Sequence, residues 1–442
     1  MMLSVMLGEK KLPFVLRALV LSVFVSGLFA DSIFATGKTD IKDNKIIVSA
    51  DKATKANAAW TIVVYIQSDN DLYYYSTYNI NDMQKVGSTS NVNIIVQWDQ
   101  PRNNKTWRYK ILKGGRIDVG SLSQEMGLNP GQEIVSCMQW VKNNYPADRY
   151  MLDLWNHGSG IEDLARLGLS SLEQGVMYGM MRGILYDYSE NTYLNNQALA
   201  SSMAQVKTIL GRNLDVLGMD ACLMAMVEIA YQVRDSVNYL VGSENFEPVE
   251  GWNYSGFLSP LVASPVTTTP AILAQNIVSS YATFYTGKVS DYTQSAIDVT
   301  KINSIATSLD QVVLLLNQCK SNQRQKTIDM IRYARQSSSK FYYDVYIDLD
   351  MFYGALLVKT RTYLLDRKLA LSYKKSLISL NTQIGLARSI LRGAIIANRV
   401  GNAYSKAKGL SIYYPTHSID ASYPLTNFAQ NTNWYTFLQN NL

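Results

Sequence analysis

From residue 60 to residue 241 the chain repeats one hydrophobic pattern: a short apolar or β-branched run, then a longer stretch with helical spacing. The runs at 61–67, 93–98, 150–155, 214–219 and 239–241 predict strands, and the stretches at 133–143, 197–210 and 224–233 predict helices. Strands that alternate with helices imply an α/β fold with a largely parallel sheet covered on both faces. After about residue 300 the pattern becomes mainly helical, at 302–317 and 369–392, and closes with a strand at 410–414. This divides the chain into a core over 59–300 and a helix-rich C-terminal subdomain over 301–442.

Upstream of the core, Lys10, Lys11 and Arg17 accompany an apolar stretch from 18 to 30, with Ala30 and Ala35 as small residues for cleavage. That order predicts a signal peptide over 1–35 and an exported protein, whether secreted, periplasmic or at the cell surface. The stretch is shorter than the roughly 20 apolar residues a spanning helix needs, so no stable membrane insertion is expected once the leader is removed. Residues 36–58, rich in Lys, Asp, Thr and Ala, read as a linker or pro-segment. With 47% hydrophobic and 17% charged residues the remainder is of globular composition, and a formal charge of +6 without a basic run gives no reason to expect nucleic acid as a partner.

Scarcity narrows the chemistry. The sequence holds two histidines, His157 and His417, which excludes an HExxH zinc site. Its three cysteines, Cys137, Cys222 and Cys319, form neither a CxxC motif nor an even disulfide set. There is no GxSxG elbow and no complete phosphate loop. What stands out are two strand ends: 150–155 runs into Asn156-His157-Gly158-Ser159-Gly160, and 214–219 into Asp220-Ala221-Cys222. Ligand sites of open α/β sheets assemble at the carboxyl ends of strands, so a thiol and an imidazole are expected in one crevice. A helix starting just after Cys222 would help to lower its thiol pKa. Backbone N–H groups of Gly158 and Cys222 would then form the oxyanion hole. Read from spacing alone, such a Cys is usually an inert core thiol and such a His more often a satisfied polar group.

Five ordered blocks carry a resemblance. They are the strand at 61–67 followed by Ser68-Asp69-Asn70-Asp71-Leu72; Leu154-Trp155-Asn156-His157-Gly158-Ser159-Gly160; Met219-Asp220-Ala221-Cys222; Glu247-Pro248-Val249-Glu250-Gly251-Trp252; and Gly409-Leu410-Ser411-Ile412-Tyr413-Tyr414-Pro415. Together they resemble clostripain-type cysteine peptidases over nearly all of the chain after residue 58. The resemblance implies a caspase-like α/β/α sandwich, a catalytic pair of His157 and Cys222, and cleavage of protein or peptide substrates after Arg or Lys. Asp220 and Glu250 are implied as the acids of the S1 pocket, since a buried cation needs opposite charge; a helix cap and a solvated loop residue are the plain alternatives. Self-cleavage after Arg182, releasing Gly183, is implied by Arg182-Gly183-Ile184-Leu185-Tyr186-Asp187, with an activation loop over 161–183 that also carries Arg166. No cofactor is required for the chemistry. Ca2+ is a cofactor among relatives, but the oxygen-rich Asp69-Asn70-Asp71 lacks EF-hand spacing and no ligand is assigned. The rival readings are a catalytically silent exported binding protein on the same fold, and a Cys-His peptidase with a non-basic P1 preference.

Overall fold

The structure is a computed structural model that describes residues 41–42, 45–46, 57–101, 104–161, 183–341 and 344–442. The leader over 1–35 and most of the 161–183 loop, with Arg166 and Arg182, lie outside the described residues. An N-terminal unit ending at Ala56 contains an antiparallel ladder of β1 (Ile41–Lys42) and β2 (Lys45–Ile46), inside the stretch read as a linker.

The second unit, Asn57–Leu442, is built on nine strands. These are β3 (Ala58–Ile66), β4 (Val92–Trp98), β5 (Trp107–Leu112), β6 (Gly115–Asp118), β7 (Ala147–Trp155), β10 (Leu214–Asp220), β11 (Val237–Gly242), β12 (Thr293–Asp298) and β15 (Ile395–Val400). Their spatial order is β15-β12-β11-β10-β7-β3-β4-β5-β6. The five central strands are parallel, and the pairs toward both edges are antiparallel. β3 is buried along all nine residues, as a central parallel strand with helices on both faces must be. Alternation divides it between two cores: Val63 and Tyr65 face one, Ile62, Val64 and Ile66 the other. Fully burying each such side chain contributes on the order of 2 kcal/mol.

The second of those cores is closed by α1 (Tyr73–Gln84), which supplies Ile80 and Met83, and by two helices after residue 250. The first takes α2 (Pro130–Asn144) and α3 (Asn196–Leu210). Asn129 caps α2 with Pro130 at its first position, and left-handed Gly211 ends α3. α4 (Val227–Gln232) follows, and α5 (Tyr254–Ala263) and α6 (Pro270–Tyr285) are the two that complete the second core. Beyond residue 301 come α7 (Ile302–Asn322), α8 (Arg324–Ser337), α9 (Leu349–Leu364) and α10 (Leu371–Ala394), all packed on the first core. The helix-rich region also returns β15 to the edge of the central sheet.

Three strands of that region, β13 (Lys340–Phe341), β14 (Tyr346–Asp348) and β16 (Ser411–Tyr413), form a small sheet. It braces the turns that follow β7 and β10. Tyr346 Oη donates to Ser159 O at 2.6 Å, and Ser411 N–H donates to Ala225 O at 3.0 Å. Between α2 and α3 the hairpin of β8 (Ile184–Asp187) and β9 (Thr192–Leu194) lies at the same end of the sheet. No helix among the described residues is long and apolar enough to cross a membrane.

Candidate active site

Adjacent parallel strands act as a ruler. Trp155 at the end of β7 is paired with Asp220 at the end of β10, so His157 and Cys222 each lie two residues past the same rung. The two turns are sewn together by Asn156 N–H donating to Asp220 O at 3.3 Å. They also approach so closely that a Cβ on Gly158 would stand 2.4 Å from the Cys222 carbonyl oxygen, and only glycine fits there. His157 and Cys222 line one cleft of about 170 Å³, together with Asp220, Leu72, Phe246 and Val249.

Cys222 does not begin a helix, contrary to the reading of its sequence. Residues 221–226 are loop, buried except for the partly exposed Cys222, and α4 starts only at Val227 and runs for six residues. Instead, Leu223 takes the left-handed conformation, φ 66°, uncommon for such a side chain, and its N–H is fixed on Asn245 O at 3.1 Å. This strained turn presents the thiol to the cleft. Burial pushes the Cys222 thiol up to about 11 and the nearby Asp220 charge adds to that, while the Glu247 N–H donating to Sγ at 3.2 Å works the other way. The thiol of this state is therefore neutral at pH 7. Cys137 and Cys319 are buried in the first core, and none of the three cysteines is in a disulfide.

His157 is held by residues the sequence reading left without a role. Its Nε2 is 2.8 Å from Asp71 Oδ1, its ring stacks on Tyr188 at 6.4 Å between centroids, and Tyr188 Oη donates to the same Asp71 oxygen at 3.0 Å. Burial would raise the Asp71 carboxyl, but the hydrogen bond and charge of His157, with Tyr188, outweigh it and bring it below its ordinary range. Asn156 accepts the backbone N–H of His157 and donates to Gln67 O and, at 2.9 Å, to Tyr186 O, so it fixes the turn rather than the ring. Beyond the ring, Ser159 N–H donates to Gly183 O at 2.9 Å, and Gly183 N–H donates to Ser159 Oγ at 3.0 Å.

Under the cleft lies a buried acidic network. Asp220 accepts from Trp252 N–H at 3.0 Å and from Tyr254 Oη at 2.9 Å; it caps no helix. Tyr254 Oη also lies 2.7 Å from Asp153, and one phenolic hydrogen cannot serve two carboxylates. The arrangement closes with Asp153 protonated, the state that its burial and the charge of Asp220 favour. Burial likewise raises Glu247 well above its ordinary range, with Asp220 and Cys222 adding to it, whereas Asp220 rises to about 6. At neutral pH the network thus concentrates one negative charge on Asp220.

Glu250, expected beside Asp220, does not share this environment. Glu250 is exposed in the turn before Gly251 and does not line the cleft; Glu247, three residues earlier, does. Both belong to one sequence block, and counting alone cannot tell which of them the turn folds inward. Asp153 left a sharper signal: it is the one charged residue inside the apolar run of β7.

A thiol and a carboxylate-backed imidazole thus stand side by side on two strand-end turns of a mostly parallel sheet. The Clostripain family profile matches residues 64–439, and the chain belongs to that family. Clostripain of Hathewaya histolytica is 27% identical over 257 residues, 52% of this chain and 46% of that protein, so the chain spans about half the length of the curated relative it matches. Among solved structures, a secreted C11 cysteine protease from Bacteroides thetaiotaomicron in complex with an irreversible peptide inhibitor superposes with a TM-score of 0.60 at 17% identity, covering 86% of this chain and 99% of that one. An inactive zymogen C11 protease from Parabacteroides distasonis superposes at 0.58 with 19% identity, covering 87% and 99%. At these identities the likeness establishes the caspase-like fold.

Proposed function

We propose that this chain is an exported endopeptidase that hydrolyses peptide bonds after Arg or Lys, with Cys222 as nucleophile and His157 as acid and base. The observation that carries the reading is Asp220: a buried carboxylate lining the cleft, on the same strand end as the thiol. A guanidinium or ammonium entering there offsets its desolvation against that carboxylate. Its backbone carbonyl is then directed toward Sγ.

As Sγ bonds to the carbonyl carbon, the thiol proton passes to His157, and Asp71 offsets the charge that develops on the ring. The oxyanion faces the N–H groups of Gly158 and Cys222. Collapse breaks the C–N bond as His157 protonates the leaving amine, and water then hydrolyses the thioester. Activation by a cut after Arg182 is supported by the position of Gly183, bonded to Ser159 two residues from His157. The chemistry itself calls on no cofactor.

The test uses the chain from residue 36 onward, with short fluorogenic peptides carrying Arg, Lys, Asn or Asp at P1 and mass spectrometry of the enzyme. The expected result is turnover after Arg and Lys with a new N-terminus at Gly183. Turnover only after Asn or Asp would overturn the basic preference, and no turnover from either intact or cut chain would favour a silent binding protein.

A pH dependence follows from Asp220, whose carboxyl burial raises to about 6. Above that pH the pocket is anionic and attracts the P1 cation; below it the carboxyl takes a proton and the attraction is lost. KM for an Arg substrate is expected to rise about tenfold for each unit below pH 6. A KM flat down to pH 4.5 would remove Asp220 from the pocket.

A further inference from the structure

Charge is divided unequally along the chain. Residues 301–442 hold 18 Lys and Arg against 7 Asp and no Glu, a balance of +11, whereas residues 1–300 hold 23 basic against 28 acidic residues, a balance of −5. Four acids of the first stretch meet at the carboxyl end of the sheet. Asp69 after β3, Asp99 after β4, Glu125 between β6 and α2 and Asp187 at the end of β8 each bring one oxygen within 4.8 Å of the others. The excess of cations lies in the helix-rich part, and an asymmetry of this size points to an anionic partner there.

The helices gather those cations at one pole. α7 passes into α8 through Gln323, and α9 turns into α10 through residues 365–370. The two connections are neighbours: Asn322 Nδ2 donates to Ser376 Oγ at 3.2 Å, and Tyr363 Oη donates to Lys326 O at 3.3 Å. Arg324, Lys326, Arg367, Lys368, Lys374 and Lys375 stand at these connections, and no ion pair among the described residues engages any of them. The acids beside them, Asp329 and Asp366, accept from Gln325 Nε2 and from the Lys368 N–H, both at 2.9 Å. Apolar side chains project from the same pole. Leu365, just past α9, is 82% exposed, the most of any large apolar side chain among the described residues, and Leu371, at the start of α10, is 68% exposed. Val358 and Ile378 lie two turns farther along the same helices, on the same faces, and are about half exposed.

We propose that this pole is a peripheral docking surface for an anionic lipid membrane, with Leu365 and Leu371 entering the interface and the surrounding Lys and Arg meeting headgroup phosphates. A soluble polyanion pairs with the cations but leaves the leucines in water. A bilayer carrying anionic headgroups takes both, because its phosphates lie in the plane that the leucine side chains must cross to reach the acyl boundary. The chain lies on the membrane and does not span it, since no helix among the described residues is long and apolar enough to cross. None of these residues lines the catalytic cleft, and the docking does not depend on the peptidase reading.

The test is co-sedimentation of the chain from residue 36 onward with lipid vesicles, the leader being left out because its apolar stretch at 18–30 would bind lipid by itself. Vesicles of phosphatidylcholine alone are compared with vesicles containing about a third phosphatidylglycerol. The expected result is partitioning at least about tenfold stronger onto the anionic vesicles, falling as salt is raised. Each unit of charge near such a surface accounts for about fivefold, so Lys368→Glu with Lys375→Glu is expected to weaken binding at least about 25-fold. The same change at Lys113 and Lys288, exposed elsewhere, is expected to weaken it less than about threefold. Leu365→Ser with Leu371→Ser leaves the charge intact and is expected to weaken binding about tenfold or more. Equal binding to both kinds of vesicle, or binding that survives the lysine pair, would overturn the proposal. So would binding that is kept by the leucine pair and competed away by soluble polyphosphate, which would give the pole to a polyanion in solution. No readout uses turnover, so failure here is distinct from failure of the peptidase reading.

Discussion

A Cys222→Ala chain is expected to lose kcat/KM by on the order of 10⁴-fold or more, because removing a nucleophile removes the covalent step rather than a fraction of its rate. The other two cysteines make the comparison internal. Cys137 and Cys319 are wholly buried in the first core, where burial pushes both thiols up to about 12 and no substrate carbonyl can reach them. Their alanine variants lose a small amount of apolar packing, about 1–2 kcal/mol each, and are expected to keep turnover within about twofold well below the unfolding temperature. Parallel rate measurements on the three variants, with thermal melts alongside, check this. Comparable loss in all three would mean that stability is being read, and retention of turnover by Cys222→Ala would place the nucleophile elsewhere.

Asp220→Asn is expected to lower kcat/KM for Arg and Lys peptides roughly 10³-fold and to spare an uncharged P1 residue in comparison. The amide matches the carboxylate in shape, and its oxygen can still accept from Trp252 N–H. What it lacks is the charge that offsets a desolvated cation, and neither neighbour replaces it, since Asp153 and Glu247 are both held protonated by burial. Stability should change little, because the substitution removes a buried charge without emptying space. Glu250→Gln, at an exposed turn, is expected to alter the same ratio by no more than about twofold. The P1 selectivity of both variants, measured on one peptide set, decides the pocket: if Glu250→Gln loses selectivity and Asp220→Asn keeps it, the assignment is reversed.

Where hydrophobic pattern alone determines an element, the sequence reading and the structure coincide. β3, β4, β7, β10 and β11 fall where the apolar runs lie, and α3, α7 and α10 where the helical spacing is regular. α1 was illegible because it turns Ser76, Asn79 and Asp82 inward along with Ile80 and Met83, so no apolar stripe forms. The segment after Cys222 misled for the opposite reason. Its apolar residues 223–226 are buried as loop between two turns, and burial leaves the same trace as a helix face. Within the site, His157, Cys222 and Asp220 were visible because each stands at the end of a recognisable strand. Asp71, Glu247 and Tyr254 were not, since they come from loops and from a helix start whose direction only the fold decides: Glu247 lines the cleft, whereas Asp71 meets His157 and Tyr254 meets Asp220 behind it. The four acids at 69, 99, 125 and 187 have no common spacing. Asp69 and Asp99 become neighbours because the parallel strands before them end at one edge, and Glu125 and Asp187 are brought there by a loop and by the β8–β9 hairpin.

Asp69, Asn70 and Asp71 are consecutive, yet each side chain answers to a different part of the protein. The first joins the four-acid cluster, the second donates to Tyr186 O in β8 at 2.9 Å, and the third meets His157. Such a tripeptide behaves like a key cut on three sides: the identity of each tooth matters less than its place in the row. One residue inserted or removed between Ser68 and Leu72 would misaddress all three contacts at once, although loops ordinarily absorb changes in length; here Ser68, Asp69 and Asn70 are buried. Its length should therefore be as invariant as its composition.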